Sequence, residues 1–263
     1  MPRVTLKILR LIAHLLAGLC ICLLIRISPA RQRRRESIAC HWHTGLLRIL
    51  GLRVTTRGQQ ADTAPIIVAN HVSWLDVIVL GSRIPTRFLS KAEVKAWPIA
   101  GSLATAVGTF YLLRGAGGTR QLTKELVEAI NNGSHVTFFP EGTTTTGENT
   151  LRFQPRLFAA AIETGKPVQP VAFRYAPTAD GRNIAPFVGD DDMVSHLLRV
   201  MREPGLDVEV VYCEPIASIG LDRATLALAA QNAVLDVIAP NRERVPVGTA
   251  VAPGGDQQGT LAA

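Results

Sequence analysis

Asn70-His71-Val72-Ser73-Trp74-Leu75-Asp76 sets an imidazole five residues ahead of a carboxylate, directly after the apolar run 66–69. Histidine titrates near neutrality, so it suits proton transfer at a reacting hydroxyl. A carboxylate that folds back onto the ring keeps one nitrogen protonated and leaves the other as a base. No Ser, Cys or Thr nucleophile is needed if the substrate brings its own hydroxyl. Taken alone, the spacing also fits a structural histidine at a helix start, which is the commoner use of such a residue.

Three further segments end apolar runs with polar groups: Gly108-Thr109-Phe110-Tyr111-Leu112-Leu113-Arg114, Phe138-Phe139-Pro140-Glu141-Gly142-Thr143 and Val168-Gln169-Pro170-Val171. There is no GxSxG elbow and no GxxxxGK[ST] loop. Gly115-Ala116-Gly117-Gly118 lacks the third glycine of a dinucleotide loop and reads as an ordinary turn. Cys20, Cys22, Cys40 and Cys213 show neither metal nor disulfide spacing. Cys40, His41 and His43 lack a second ligand cluster and read as a helix surface.

These residues must be held by an alternation of short β-branched runs and longer helical patterns. Strands are predicted at 66–68, 87–89, 110–113, 135–139, 168–173 and 208–212, with helices near 74–83, 92–106, 118–132, 155–165, 192–202 and 221–238. Asn131-Asn132-Gly133 and Gly165-Lys166-Pro167 are helix stops. The pattern predicts an α/β fold: a mixed, largely parallel sheet covered by helices on both faces, with an N-terminal membrane-anchoring helical segment. His71 then stands just beyond the carboxyl end of a strand, where such sheets place their sites.

The chain has 263 residues, 47% of them hydrophobic and 19% charged, which excludes disorder for most of its length. A mean hydropathy of +0.20 excludes a polytopic membrane protein. Residues 1–58 carry 11 Lys and Arg against one Glu, whereas residues 59–263 carry 17 basic and 20 acidic residues. That asymmetry fits a basic membrane-facing end better than a nucleic-acid-binding body. The run 6–27 is apolar apart from Lys7, Arg10, His14 and Arg26. As a helix it spans roughly 33 Å, enough to cross or dip into a bilayer, with Lys7, Arg10 and Arg26 snorkelling to the headgroups. Arg31, Arg33, Arg34 and Arg35 suit anionic lipid, and 38–52 reads as an interfacial helix. A cleaved signal peptide is the rival reading, but Ser28-Pro29-Ala30 is a poor cleavage site before so many arginines. The predicted organisation is an anchor and interfacial helix over 1–58, a catalytic domain over 59–239 and a disordered tail over 240–263. Trp74 and Trp97 read as core or interface residues, and His135 as structural.

In their order, the four segments resemble the motifs of the glycerolipid acyltransferase family, of the lysophosphatidic acid acyltransferase type. Asn70, His71 and Asp76 match NHxxxxD, and Phe139–Thr143 match FPEGT. Gly108 and Arg114 match the second motif, although Leu113 stands where Asp is usual and Tyr111 replaces Phe. Pro170 matches the fourth. Thr144 stands where Arg often follows the third motif, which leaves the acceptor headgroup open.

The resemblance implies transfer of a fatty acyl group from a thioester, acyl-CoA or acyl carrier protein, to the free hydroxyl of 1-acylglycerol-3-phosphate. Another lyso-lipid, lyso-ornithine lipid or a lysophospholipid, is the alternative acceptor, and a non-catalytic lipid-binding relative is the third reading. His71 is then the general base and Asp76 its orienting partner. Arg114 and Lys91 are candidates for the acceptor phosphate, and backbone N–H groups after His71 for the tetrahedral oxyanion. Glu141, Gly142 and Thr143 are further substrate-site candidates, and Pro170 shapes the acyl pocket. No metal and no cofactor beyond the thioester co-substrate are expected, and the expected location is the cytoplasmic face of the cell membrane.

Overall fold

A computed structural model of the chain describes residues 2–27, 32–112 and 116–241. Arg114, residues 28–31 and the tail from residue 242 lie outside the described residues. The strands are β1 (Leu52–Arg57), β2 (Ile66–Ala69), β3 (Arg87–Lys91), β4 (Phe110–Leu112), β5 (Val136–Phe138), β6 (Val168–Tyr175) and β7 (Leu206–Tyr212). They form one sheet in the order β1-β7-β6-β2-β5-β3-β4. β6, β2, β5, β3 and β4 are mutually parallel, β7 is antiparallel to β6, and β1 is parallel to β7. The sheet is therefore mixed and largely parallel, as the alternation predicts.

Helices cover both faces because the central strands are apolar on both. In β2, Ile66 and Val68 join one core while Ile67 and Ala69 join the other, the two-residue period of a strand. On the first face lie α2 (Gln32–Leu50), α3 (Leu75–Gly81) and α7 (Met193–Arg202), contributing Leu46, Leu50, Leu75, Val79, Val200 and Met201. On the second lie α5 (Ala116–Asn131), α6 (Ala159–Thr164) and α8 (Arg223–Ile238), contributing Leu122, Leu126, Ala160, Leu226 and Val234. Asp192 caps α7 through Val194 N and Ser195 N, and Asp222 caps α8 through Thr225 N.

Two elements depart from the sequence expectation. β1 lies within the stretch assigned to the anchor, so the sheet already begins at Leu52. It is an edge strand with Leu52 as its one buried residue, which leaves almost no hydrophobic alternation to read. Its basic side chains face acids on β7: Arg53 pairs with Asp207 at 2.5 Å and Arg57 with Glu209 at 3.8 Å. The helix expected over 92–106 is instead a short 3₁₀ turn, Ala92–Ala96, followed after Trp97-Pro98-Ile99 by α4 (Ala100–Ala106). Proline removes a backbone donor and restricts the residue before it, which breaks the run there.

Helix α1 (Pro2–Ile27) is long and apolar enough to cross a membrane. It nonetheless lies side-on against α2 and α4. Trp42 Nε1 donates to the His14 carbonyl at 3.2 Å, His14 Nε2 lies 2.9 Å from the Trp42 carbonyl, and their rings stack at 5.0 Å. Glycines permit this approach: a Cβ at Gly45 would sit 2.4 Å from the His14 ring, and one at Gly18 would sit 2.8 Å from Trp42 Nε1. Lys7 does not snorkel. It is buried, and its ammonium donates to the carbonyls of Leu50, at 3.1 Å, and Glu203, at 3.0 Å. Leu50 ends α2, where unpaired carbonyls and the helix dipole attract a cation.

Lys7→Met keeps the apolar stem and removes both donors. The buried Leu50 carbonyl then loses its partner, at about 1–3 kcal/mol, and the half-buried Glu203 carbonyl loses less. The expected result is a lower thermal midpoint and faster proteolysis of the α1 end, checked by melting and timed digestion.

Candidate active site

Where β2 stops, Asn70 replaces a strand residue with its side chain. Its Nδ2 donates to the Phe173 carbonyl at 3.1 Å, and its Oδ1 accepts from Phe173 N at 2.8 Å. β2 and β6 therefore stay paired while the backbone of residues 71–74 turns into α3. Asp76 lies in the first turn of α3, fully buried. Its Oδ2 accepts from His71 Nδ1 at 2.8 Å, Val72 N at 2.7 Å and Ser73 N at 2.9 Å. Its Oδ1 accepts from the Tyr175 hydroxyl at 2.7 Å.

An ionised carboxylate only accepts, so His71 carries its proton on Nδ1 and presents the lone pair of Nε2. The ring is 19% exposed, enough to meet a substrate from one side. Phe139 stacks beneath it at 4.0 Å, and Phe88 stacks on Phe139 at 6.5 Å. The imidazole is thus fixed by a carboxylate at one nitrogen and by an aromatic face below.

The loop after β5 fixes the backbone of His71. Glu141 is buried, and its two carboxylate oxygens accept from His71 N and Leu151 N, each at 2.7 Å. The His71 carbonyl accepts from Thr145 N at 2.8 Å, and the Val72 carbonyl from Phe187 N at 2.9 Å. The Thr144 hydroxyl donates to the Phe187 carbonyl. Burial pushes Glu141 up to about 7; the Leu151 and His71 N–H groups oppose the rise, while the Asp76 charge adds to it. Gly142 holds φ at +76°, and a Cβ there would meet Gln154 Nε2 at 2.4 Å.

The structure brings His71 and Asp76 together and puts Glu141 behind them. Glu141 is 4% exposed and holds the backbone of His71 and Leu151. Thr143 is exposed, as is Lys91 at the end of β3. Pro170 is buried within β6 opposite Val68, three residues before His71. At ~3.3 Å per residue that is about 10 Å along the strand from His71. Among the backbone N–H groups that follow His71, those of Val72 and Ser73 both donate to Asp76. Trp74 is half-buried against the core and donates to the buried His196 Nδ1 at 3.1 Å.

Tyr175 is the site residue that sequence reasoning missed. It lies 99 residues beyond Asp76, and a tyrosine ending a strand carries no local signature. The parallel register of β2 with β6 makes the contact, by placing the carboxyl ends of both strands side by side.

Tyr175→Phe should lower kcat about tenfold with KM for both substrates unchanged, because a hydrogen bond to a charged group is worth about 1.5–3 kcal/mol. Steady-state kinetics decides; a change in KM alone refutes a positioning role. Glu141 makes stability depend on pH. Its carboxyl keeps a proton more tightly in the folded chain than in the unfolded one. Its contribution is therefore full below about 4.5 and is lost as pH rises through about 7. The thermal midpoint of the parent protein, measured against Glu141→Gln, should fall between pH 5 and pH 8.

Comparison with known proteins agrees with this geometry. The family model described as Acyltransferase matches residues 52–174, which include β1, His71, Asp76, Glu141 and Pro170. A lyso-ornithine lipid O-acyltransferase of Pseudomonas aeruginosa is 45% identical over 208 residues, 79% of each chain. A 1-acyl-sn-glycerol-3-phosphate acyltransferase of Neisseria gonorrhoeae is 29% identical over 196 residues, 74% of this chain and 77% of that one. The crystal structure of the 1-acyl-sn-glycerophosphate (LPA) acyltransferase PlsC of Thermotoga maritima superposes with a TM-score of 0.55 at 20% identity, covering 89% of this chain and 98% of that chain, a likeness of fold. With the NHxxxxD and FPEGT residues gathered at one end of a matching sheet, the chain belongs to the acyltransferase family that acts on lyso-lipids.

Proposed function

We propose that the chain is a membrane-associated O-acyltransferase whose acceptor is lyso-ornithine lipid and whose donor is an acyl thioester, acyl-CoA or acyl carrier protein. The observation that carries the chemistry is the bond from His71 Nδ1 to the buried Asp76 on a ring that keeps 19% of its surface open, which leaves Nε2 as the base. Nε2 takes the proton from the acceptor hydroxyl as its oxygen attacks the thioester carbonyl. A C–O bond forms, giving a tetrahedral oxyanion. The oxyanion collapses, the C–S bond breaks, and the imidazolium returns the proton to the leaving thiolate. Asp76 stabilises the imidazolium between these steps.

The acceptor assignment is supported by the 45% identity to a protein named for lyso-ornithine lipid. It is also supported by Thr144, whose hydroxyl is engaged with Phe187 where the family resemblance offers an arginine for a phosphate. The second reading is 1-acylglycerol-3-phosphate, giving phosphatidic acid. The Neisseria relative supports it, with Lys91 and Arg114 meeting the headgroup. Under either reading α1 and the arginine-rich start of α2 hold the protein to a membrane. Use of a cytosolic thioester puts the site on the cytoplasmic face.

The purified full chain should turn over lyso-ornithine lipid with a kcat/KM at least about tenfold above that for 1-acylglycerol-3-phosphate. The reverse preference would install the second reading, and turnover of neither acceptor with either thioester would leave a lipid-binding protein. His71→Ala should cost ~10²–10⁴-fold in thioester consumption. Unchanged consumption would remove His71 as the base.

A further inference from the structure

Between Lys95 and Arg114 the chain has no charged residue for 18 positions, 96–113. An uncharged stretch of that length is ordinary in a core. Here, however, positions 95–100 are all exposed, with Trp97 and Ile99 each 42% accessible. The segment is not loosely held. Gly101 N donates to the Trp97 carbonyl and Leu103 N to the Ile99 carbonyl, each at 3.0 Å, so Trp97-Pro98-Ile99 forms the lead-in turn of α4. An ordered apolar projection marks a contact surface.

Two observations identify what it contacts. First, α4 packs on α1: a Cβ at Gly18 would lie 3.0 Å from the Leu103 side chain. α1 itself exposes Leu9, Ile12, Leu16, Leu23 and Leu24, so the projection continues an apolar surface already suited to lipid. Second, exposed Lys91 and Lys95 stand at its start, and Lys95 Nζ lies 5.6 Å from the Tyr111 ring centre. Aromatic and aliphatic side chains beside lysines match the boundary between acyl chains and anionic headgroups. The segment also leaves β3 at the His71 end of the sheet, since β3, β5 and β2 run parallel and His71 follows the carboxyl end of β2.

We propose that the turn spanning residues 95–100 is a second lipid-contact surface, inserting Trp97 and Ile99 into the bilayer beside α1 and bringing the His71 end of the sheet to the membrane. This rests on the membrane association proposed above, but not on the role of His71 or the identity of the acceptor.

The test uses the full chain on phosphatidylethanolamine–phosphatidylglycerol vesicles with brominated or plain acyl chains. Subtracting the emission of Trp97→Phe from that of the parent isolates Trp97 from Trp42 and Trp74. Brominated chains should quench that component. Trp97→Asp/Ile99→Asp should raise KM for a vesicle-borne lyso-lipid about tenfold, given the apolar area withdrawn, while turnover of a short-chain acceptor dissolved as monomers stays unchanged. A Trp97 component untouched by bromine in protein that cosediments with vesicles overturns the proposal, as does an unchanged KM. Self-association abolished by the double variant, without quenching, assigns the turn to a second copy of the chain instead. Protein that remains in the supernatant removes the membrane reading as a whole, which tells the two failures apart.

Discussion

A carboxylate with no exposure to water has to find its hydrogen bonds inside the protein, and the site is organised around how Asp76 does so. Four donors converge on it from three places: the His71 ring, the Val72 and Ser73 backbone, and the Tyr175 hydroxyl. Each constrains something. The two backbone N–H groups curl residues 71–76 into a tight turn. The tyrosine ties that turn to a neighbouring strand. The imidazole is left with one orientation and one free nitrogen. Removing any donor leaves the charge buried with fewer partners, so the His71–Asp76 pair and the local fold are one structure.

Glu141 repeats the arrangement a layer further back. It is a second buried carboxylate, and it takes the His71 N–H that the turn leaves over. The two acids hold the same histidine, one by its ring and one by its backbone. Their mutual repulsion, together with burial, moves Glu141 toward neutrality. The aromatic floor extends the support: Phe139 under His71, then Phe88, then His43 of α2 at 6.4 Å. Trp42, beside His43, is the residue that locks α1 to α2.

Local signals were readable in the sequence and tertiary ones were not. The buried central strands and the stop signals after α5 and α6 could be read because apolar runs and glycine turns are local. The pairing of His71 with Asp76 was readable because five residues separate them, although the motif says nothing of Asn70 holding Phe173. β1 was lost because an edge strand with one buried residue has no periodicity. Lys7 was misjudged because a lysine in an apolar helix looks the same whether it faces headgroups or two carbonyls from α2 and residue 203. Tyr175 and the partners of Glu141 depend on strand order, which no spacing within the chain encodes. The engagement of the Val72 and Ser73 N–H groups by Asp76 is likewise a folded-back contact that the motif alone does not assign.

The amide of Asn70 has a mechanical consequence. By giving and receiving a hydrogen bond with the same residue, Phe173, it pins the ends of two adjacent strands against sliding. His71 follows the pinned residue on one strand, and Tyr175 comes two residues after the pinned residue on the other. His71 and Tyr175 therefore stand on strand ends tied to one another, and that tie sets their spacing about Asp76.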